Sequence, residues 1–136
     1  AIVRSALALG ATGVVIPRDR AVGVTPAVAK ASAGAVERMR IARVVNVAKT
    51  LERMKEQGIW SVALAADGDR ELGAVDLKGP MALVLGSEAE GIRPLVRRTC
   101  DMGARIPMSG VIDSLSVSAA AAVALYEAAR QRTRRG

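Results

Sequence analysis

Short apolar runs alternate along the chain with segments of helical period, and glycine or proline closes most of them. Residues 2–9 read as a short helix ended by Gly10 or Gly13. The β-branched run Val14–Ile16 stops at Pro17 and predicts a buried strand. After a polar loop over 17–24, Thr25 before Pro26 matches an N-cap with proline at the first helical position, so a helix over about 26–32 is expected. Ile41–Val45 is a further apolar segment. Asn46 is placed to cap a helix over 47–57 that Gly58 terminates. Trp60–Ala65 and Met81–Leu85 predict two more strands, separated by a loop, 67–79, with at most a short strand. Pro94 opens a helix to about Cys100, Ala104–Ile106 predicts a strand, and Ser114 or Ser116 caps a long helix over 116–131. The tail RQRTRRG carries four arginines and no acid, so fraying is expected there. Strands that alternate with helices and read as continuous apolar runs predict an α/β fold: a mostly parallel sheet flanked by helices.

Composition sharpens this. The 136 residues suit one domain. Apolar residues make up 51%, but there is one Trp, one Tyr and no Phe. The core is therefore aliphatic, and stacking platforms for single-stranded nucleic acid are scarce. Twenty basic residues against 13 acidic give a formal charge of +7, which favours a polyanionic partner held through phosphates and backbone groups. The absence of histidine removes His-based general-base chemistry and most zinc sites, and no metal is expected. A lone cysteine, Cys100, excludes an intrachain disulfide and suits packing. No signal peptide and no membrane-spanning apolar run is visible, so a cytoplasmic protein without a membrane partner is expected.

Two loops carry candidate chemistry. The stretch LVLGSEAEG at 83–91 places Gly86, Ser87, Glu88, Ala89, Glu90 and Gly91 just after a strand, where open α/β sheets bind ligands. Its acids argue against phosphate in the loop and suit a cationic or sugar-bearing ligand; an ordinary surface turn is equally compatible. The second stretch, IPMSGVIDSLS at 106–116, links a strand to a helix start whose free backbone groups bind polar atoms. Two glycine-containing loops after adjacent strands would form a crevice. Arg4, in an apolar segment, either snorkels to water or awaits an anion. Lys30, Arg38, Arg40 and Arg43 are candidates for one basic face, and Arg97, Arg98 and the tail for another.

RSALALGA at 4–11, LVLGSEAEGI at 83–92 and IPMSGVIDSLSVSAAAAVALYEAARQR at 106–132 resemble, in order and spacing, the three motifs of the SpoU branch of the SPOUT RNA ribose methyltransferases. TPAVAKASAGAVERMRIARVVN at 25–46 and LERMKEQGIW at 51–60 resemble the bacterial 23S rRNA guanosine-2′-O-methyltransferase subgroup. The resemblance implies a deep C-terminal trefoil knot, S-adenosyl-L-methionine as cofactor, an RNA substrate (23S rRNA before tRNA) and a homodimer. It implies cofactor contacts at Gly86, Ile106 and Leu115, with Leu85, Gly91, Pro107 and Met108 walling the site. Arg4 matches the catalytic arginine, Glu90 the acidic residue of the second motif, and Ser114 and Ser116 lie in the third. Arg4, Lys30, Arg38 and Ser114 are the expected substrate-binding residues, and Arg4, Glu90 and Ser116 the catalytic set. Ser116 stands where the family usually has Asn. The first motif's Asn would lie before Ala1. Residues 1–136 are accordingly expected to be the catalytic domain, without its first strand or the small RNA-binding domain of many relatives. A tRNA ribose methylase and a non-catalytic RNA-binding protein of the same fold are the alternatives.

Overall fold

Strands that run the same way need crossover connections, and the chain supplies helices or long loops for most of them. A computed structural model describes residues 4–5, 8–18, 40–86, 91–111 and 115–133. The expected helix over 26–32 lies outside these residues, as do Lys30, Arg38, Glu90 and Ser114. In chain order the described elements are β1 (Gly13–Pro17), β2 (Arg40–Val44), α1 (Val47–Glu56), β3 (Trp60–Leu64), β4 (Arg70–Glu71), β5 (Met81–Val84), α2 (Pro94–Thr99), β6 (Met102–Arg105) and α3 (Val117–Thr133). A 3-10 turn, Leu72–Ala74, follows β4. All described pairings are parallel. They make a two-stranded sheet, β1–β2, and a four-stranded sheet ordered β4-β6-β3-β5.

The α1 boundaries follow their caps. Asn46 Oδ1 accepts from Lys49 N at 3.0 Å, and Gly58 takes φ +83°, a conformation that glycine adopts without Cβ strain. β6 begins at Met102, two residues before the expected strand. Pairing with β3 draws in Met102 and Gly103, whose weak strand propensity hides them in the sequence.

Alternation sorts the sheet's faces. Val62, Leu64, Met81, Leu83, Met102, Ala104 and Ile106 share one face with Leu72, Val75 and Leu77. Ala124 and Ala128 of α3 cover this face, their small side chains allowing close approach. The segment read as a loop over 67–79 therefore supplies core: Leu72, Val75 and Leu77 are at most 3% exposed. Their spacing fits neither a helix nor a strand, which is why periodicity missed them. On the opposite face, Gly103 lies under the Arg97 guanidinium of α2, and Ala48 and Leu51 of α1 are buried.

Two polar clusters tie the fold. Asp101 accepts from Ser61 N (2.8 Å) and Ser61 Oγ (3.2 Å) and pairs with Lys55 Nζ (3.0 Å). Burial works against its charge, but the Ser61 backbone N–H, Lys55 and the Ser61 hydroxyl outweigh it and hold the carboxyl below its usual range. At the other end of the chain, α3 runs on to Thr133 instead of fraying from Arg130. Gln131 accepts from Leu77 N at 2.7 Å and donates to Val75 O at 3.0 Å, while Arg132 donates to Leu77 O and Gly79 O. Repulsion between Arg130 and Arg132 is outweighed because each finds an acceptor.

Glu127 binds the Arg130 fork at 2.8 Å twice and Gln131 at 2.9 Å, and these bonds pull its carboxyl from 4.5 to about 2. A depressed carboxylate stabilises above its unfolded value and loses that contribution as pH falls. Glu127 should therefore contribute fully above about pH 4.5 and nothing below about pH 2. Arg130 is 39% exposed, so solvent screening keeps this contribution small. Urea midpoints measured from pH 2 to 6 should show a shallower acid loss in Glu127→Gln than in the parent; identical slopes refute the assignment.

Candidate active site

Strands β5 and β6 are not neighbours: both pair with β3, one on each side. The glycine-bearing loops thus leave the sheet on either side of β3, correcting the expectation of adjacent strands. Extending the registers Ala63↔Val84 and Leu64↔Ala104 puts Gly86, Ala65 and Arg105 level at the carboxyl edge. Two inter-strand steps separate the β5 and β6 exits, about 9.5 Å between strand axes. The span over the carboxyl end of β3, between the two exits, is the candidate slot for a small molecule.

The two glycines of the first loop have different reasons to be there. A Cβ on Gly86 would fall on the backbone of Gly91 and Ile92, so the loop's neck closes on bare backbone. Gly91 takes φ +67° with open space around it, so there the requirement is conformational. Leu85 and Ile106 are partly buried on opposite sides of the slot. Pro107 and Met108 follow Ile106 directly, and Met108 (38%) and Leu115 (42%) are exposed. Aliphatic walls and glycine backbone are what an uncharged heterocycle with hydrogen-bonding edges requires. S-adenosyl-L-methionine carries such a group, so the residues present fit it.

Arg4 is exposed on a helical turn before β1, with Leu9 N bonded to Ser5 O at 3.0 Å. Ser116 is exposed, and its Oγ accepts from Ala119 N at 3.2 Å, so it caps α3. The same oxygen also lies 3.4 Å from Ser118 Oγ, a hydroxyl with which it can exchange a hydrogen bond in either direction. Arg40 and Arg43 are exposed on β2. Of the second expected basic face, Arg98 is exposed, Arg97 covers Gly103, Arg130 and Arg132 bind within the fold, and Arg134 and Arg135 lie outside the described residues. Cys100 is half-buried, and burial raises its thiol above the ordinary value despite a Ser61 hydrogen bond, which keeps it protonated. Among the described residues no cluster of His, Cys, Asp or Glu suits a metal, and no helix is long and apolar enough to cross a membrane.

Sequence reasoning missed Gly68 and Arg105. Arg105 Nη1 donates to Gly68 O at 2.8 Å beside the slot. The only signal was position: Arg105 directly precedes Ile106-Pro107-Met108, and Gly68 lies between two aspartates.

The model of the SpoU rRNA Methylase family matches residues 1–126. The chain belongs to this family. It is 50% identical over 133 residues to the 23S rRNA (guanosine-2′-O-)-methyltransferase RlmB of Xylella fastidiosa, covering 98% of this chain and 53% of that protein. The protein of the same name from Shewanella oneidensis is 44% identical over 97% of this chain and 54% of its own length. The chain thus spans about half the length of the curated relatives it matches. Among solved structures, the SpoU methyltransferase AviRb from Streptomyces viridochromogenes in complex with AdoMet superposes with a TM-score of 0.88 at 32% identity, over 96% of this chain and 54% of that one. The A. aeolicus TrmH/SpoU tRNA modifying enzyme gives 0.84 at 32% identity, over 96% and 66%. Family membership turns the slot between the 85–91 and 106–115 loops into the first place to look for the cofactor.

Proposed function

We propose that residues 1–136 are the catalytic domain of an S-adenosyl-L-methionine-dependent methyltransferase acting on a ribose 2′-hydroxyl of RNA, with a guanosine of 23S rRNA as target. The observation that carries this reading is the 50% identity, across 98% of the chain, to a protein named for that activity. The slot fits it, and the +7 charge suits a polyanionic substrate.

When bound, S-adenosyl-L-methionine supplies a methyl group on a sulfonium that leaves as a neutral thioether. Leu85, Gly86, Gly91, Ile106, Pro107, Met108 and Leu115 hold it in the slot. Arg4 binds the RNA phosphate and orients the hydroxyl through its planar fork of donors, and the hydroxyl proton passes to the substrate's own phosphate. Acceptance of the hydroxyl proton by Arg4 is the alternative that the family resemblance offers. Glu90 holds the geometry of the neighbouring groups, and Ser116 donates its hydroxyl proton toward the ribose while capping α3. Lys30, Arg38 and Ser114 complete the RNA contacts. Most of the rate gain would come from the alignment of the ribose hydroxyl by Arg4 and Ser116.

The topology supports a knot. Residues 65–69 cross over β6 from β3 to β4, and β6, later in the chain, lies beneath them. We infer that this crossing is part of a trefoil through which β6 and α3 thread. A homodimer built on α3 is supported by Val123 (41% exposed) and Tyr126 (60% exposed) on a helix otherwise rich in alanine. Sedimentation of the full-length protein should give a dimer; a stable, active monomer overturns that part.

The reading as a whole is tested by mapping 2′-O-methyl groups in RNA from cells with and without the gene. Loss of one 23S rRNA guanosine methylation is the expected result. A lost tRNA methylation would favour the tRNA enzyme, whose structural likeness gives that reading its support. No change in any RNA would favour a non-catalytic binder.

A further inference from the structure

In five residues, 65–69, the chain must leave β3, cross over β6 and enter β4. The crossing is tight, since a Cβ on Gly68 would lie 2.5–2.8 Å from the Ala104 backbone. Three hydrogen bonds hold it. Ala65 N donates to Ala104 O at 3.0 Å, Gly68 N to Ala65 O at 3.0 Å, and Arg105 Nη1 to Gly68 O at 2.8 Å. Among the described residues only the last comes from a side chain. It is also the charge-assisted one, and so the strongest of the three.

Arg105 lies on the face opposite the main core, the face over which the crossing runs. In the sequence Asp67 and Asp69 flank Gly68, and on β4 Glu71 is the register partner of Arg105. In a chain of charge +7 the default for an arginine at a ligand-binding edge is an RNA phosphate. Here the guanidinium is committed to the protein's own backbone. The residue after it, Ile106, is a wall of the slot, and Ala65 is its floor.

We propose that Arg105 is a positioning residue for the methyl donor: by clasping the 65–69 crossing to β6, it fixes the floor of the slot against its β6 wall. The proposal rests on the reading of the slot as the S-adenosyl-L-methionine site. It assigns Arg105 to the donor and not to the RNA.

The test uses the full-length protein and its Arg105→Met variant, which keeps the apolar stem and removes the donor. Binding of S-adenosylhomocysteine is measured by calorimetry, and steady-state kinetics use an rRNA transcript. The expected result is about tenfold weaker binding and a donor KM raised about tenfold, the worth of one charge-assisted bond. With saturating donor, kcat should stay within about twofold and the KM for RNA should not move. Arg105→Lys keeps the charge but not the fork, so a rise of about threefold in donor KM is expected. A purely structural role would lower Tm and the active fraction without splitting the two KM values.

Unchanged donor binding in Arg105→Met, or a raised KM for RNA instead, overturns the assignment. Should Arg105→Met fail to fold, Arg105→Lys decides, and a parental donor KM there overturns it. Should the parent protein itself bind no S-adenosylhomocysteine, the reading of the slot fails first and this inference with it.

Discussion

Arg4→Ala should lose methyl transfer by at least about a hundredfold while binding the methyl donor almost as the parent does. The expectation follows from the different elements that carry the two roles. Arg4 lies on a turn before β1, whereas the proposed donor walls come from the loops after β5 and β6 in a different sheet. If Arg4 meets the RNA phosphate and the 2′-hydroxyl, its loss removes substrate alignment and leaves the slot intact. The pair of measurements is a tritiated-methyl assay and donor calorimetry. Turnover within about threefold of the parent would end the role, given the 10²-fold scale of single catalytic groups. Loss of both activity and donor binding would mean that the N-terminal turn supports the slot instead. Arg4→Lys should restore little, because an ammonium lacks the planar fork that meets phosphate and hydroxyl together.

Gly86→Val is the second large effect. The new side chain would occupy the space now held by the Gly91–Ile92 backbone, so the neck of the loop must open. Backbone cannot rotate aside as a side-chain tip can, and an overpacking cost of about 3 kcal/mol is expected. If that cost falls on the donor site, binding should weaken by about tenfold to a hundredfold. Gly91→Ala makes the contrast within the same loop. Its Cβ meets open space, and only the φ of +67° is strained, a cost of about 1–2 kcal/mol. Calorimetry and thermal melts on both variants check the ranking. Equal effects would mean that close approach is not what Gly86 provides.

The same loop shows how far the sequence carries. Two glycines around acids after an apolar run announced a turn with a special backbone, but not which glycine turned and which was crowded. Crowding depends on where residues 91 and 92 return, and nothing local encodes that. The second loop behaves likewise. Ser114 and Ser116 were equal candidates for the α3 cap until Ser116 Oγ was found 3.2 Å from Ala119 N. Arg105 was invisible as a site residue because its partner is a carbonyl 37 residues earlier.

Elements stabilised within a few residues were legible. The Asn46 cap, the Gly58 stop, the runs of β1, β3 and β5, and the long α3 all rest on interactions inside one turn or on β-branched side chains. The three motifs and their order were legible as well, and the family match bears them out. What the tertiary structure alone decided is where strands lie side by side. It set β6 between β3 and β4, so the two loops flank a third strand and enclose a slot. It drew Leu72, Val75 and Leu77 into the core and bound Arg132 of α3 to carbonyls more than fifty residues away. Hydrophobic period and capping are short-range properties of the chain, whereas strand order, crossings and side-chain clasps arise from contacts between distant residues that no local pattern records.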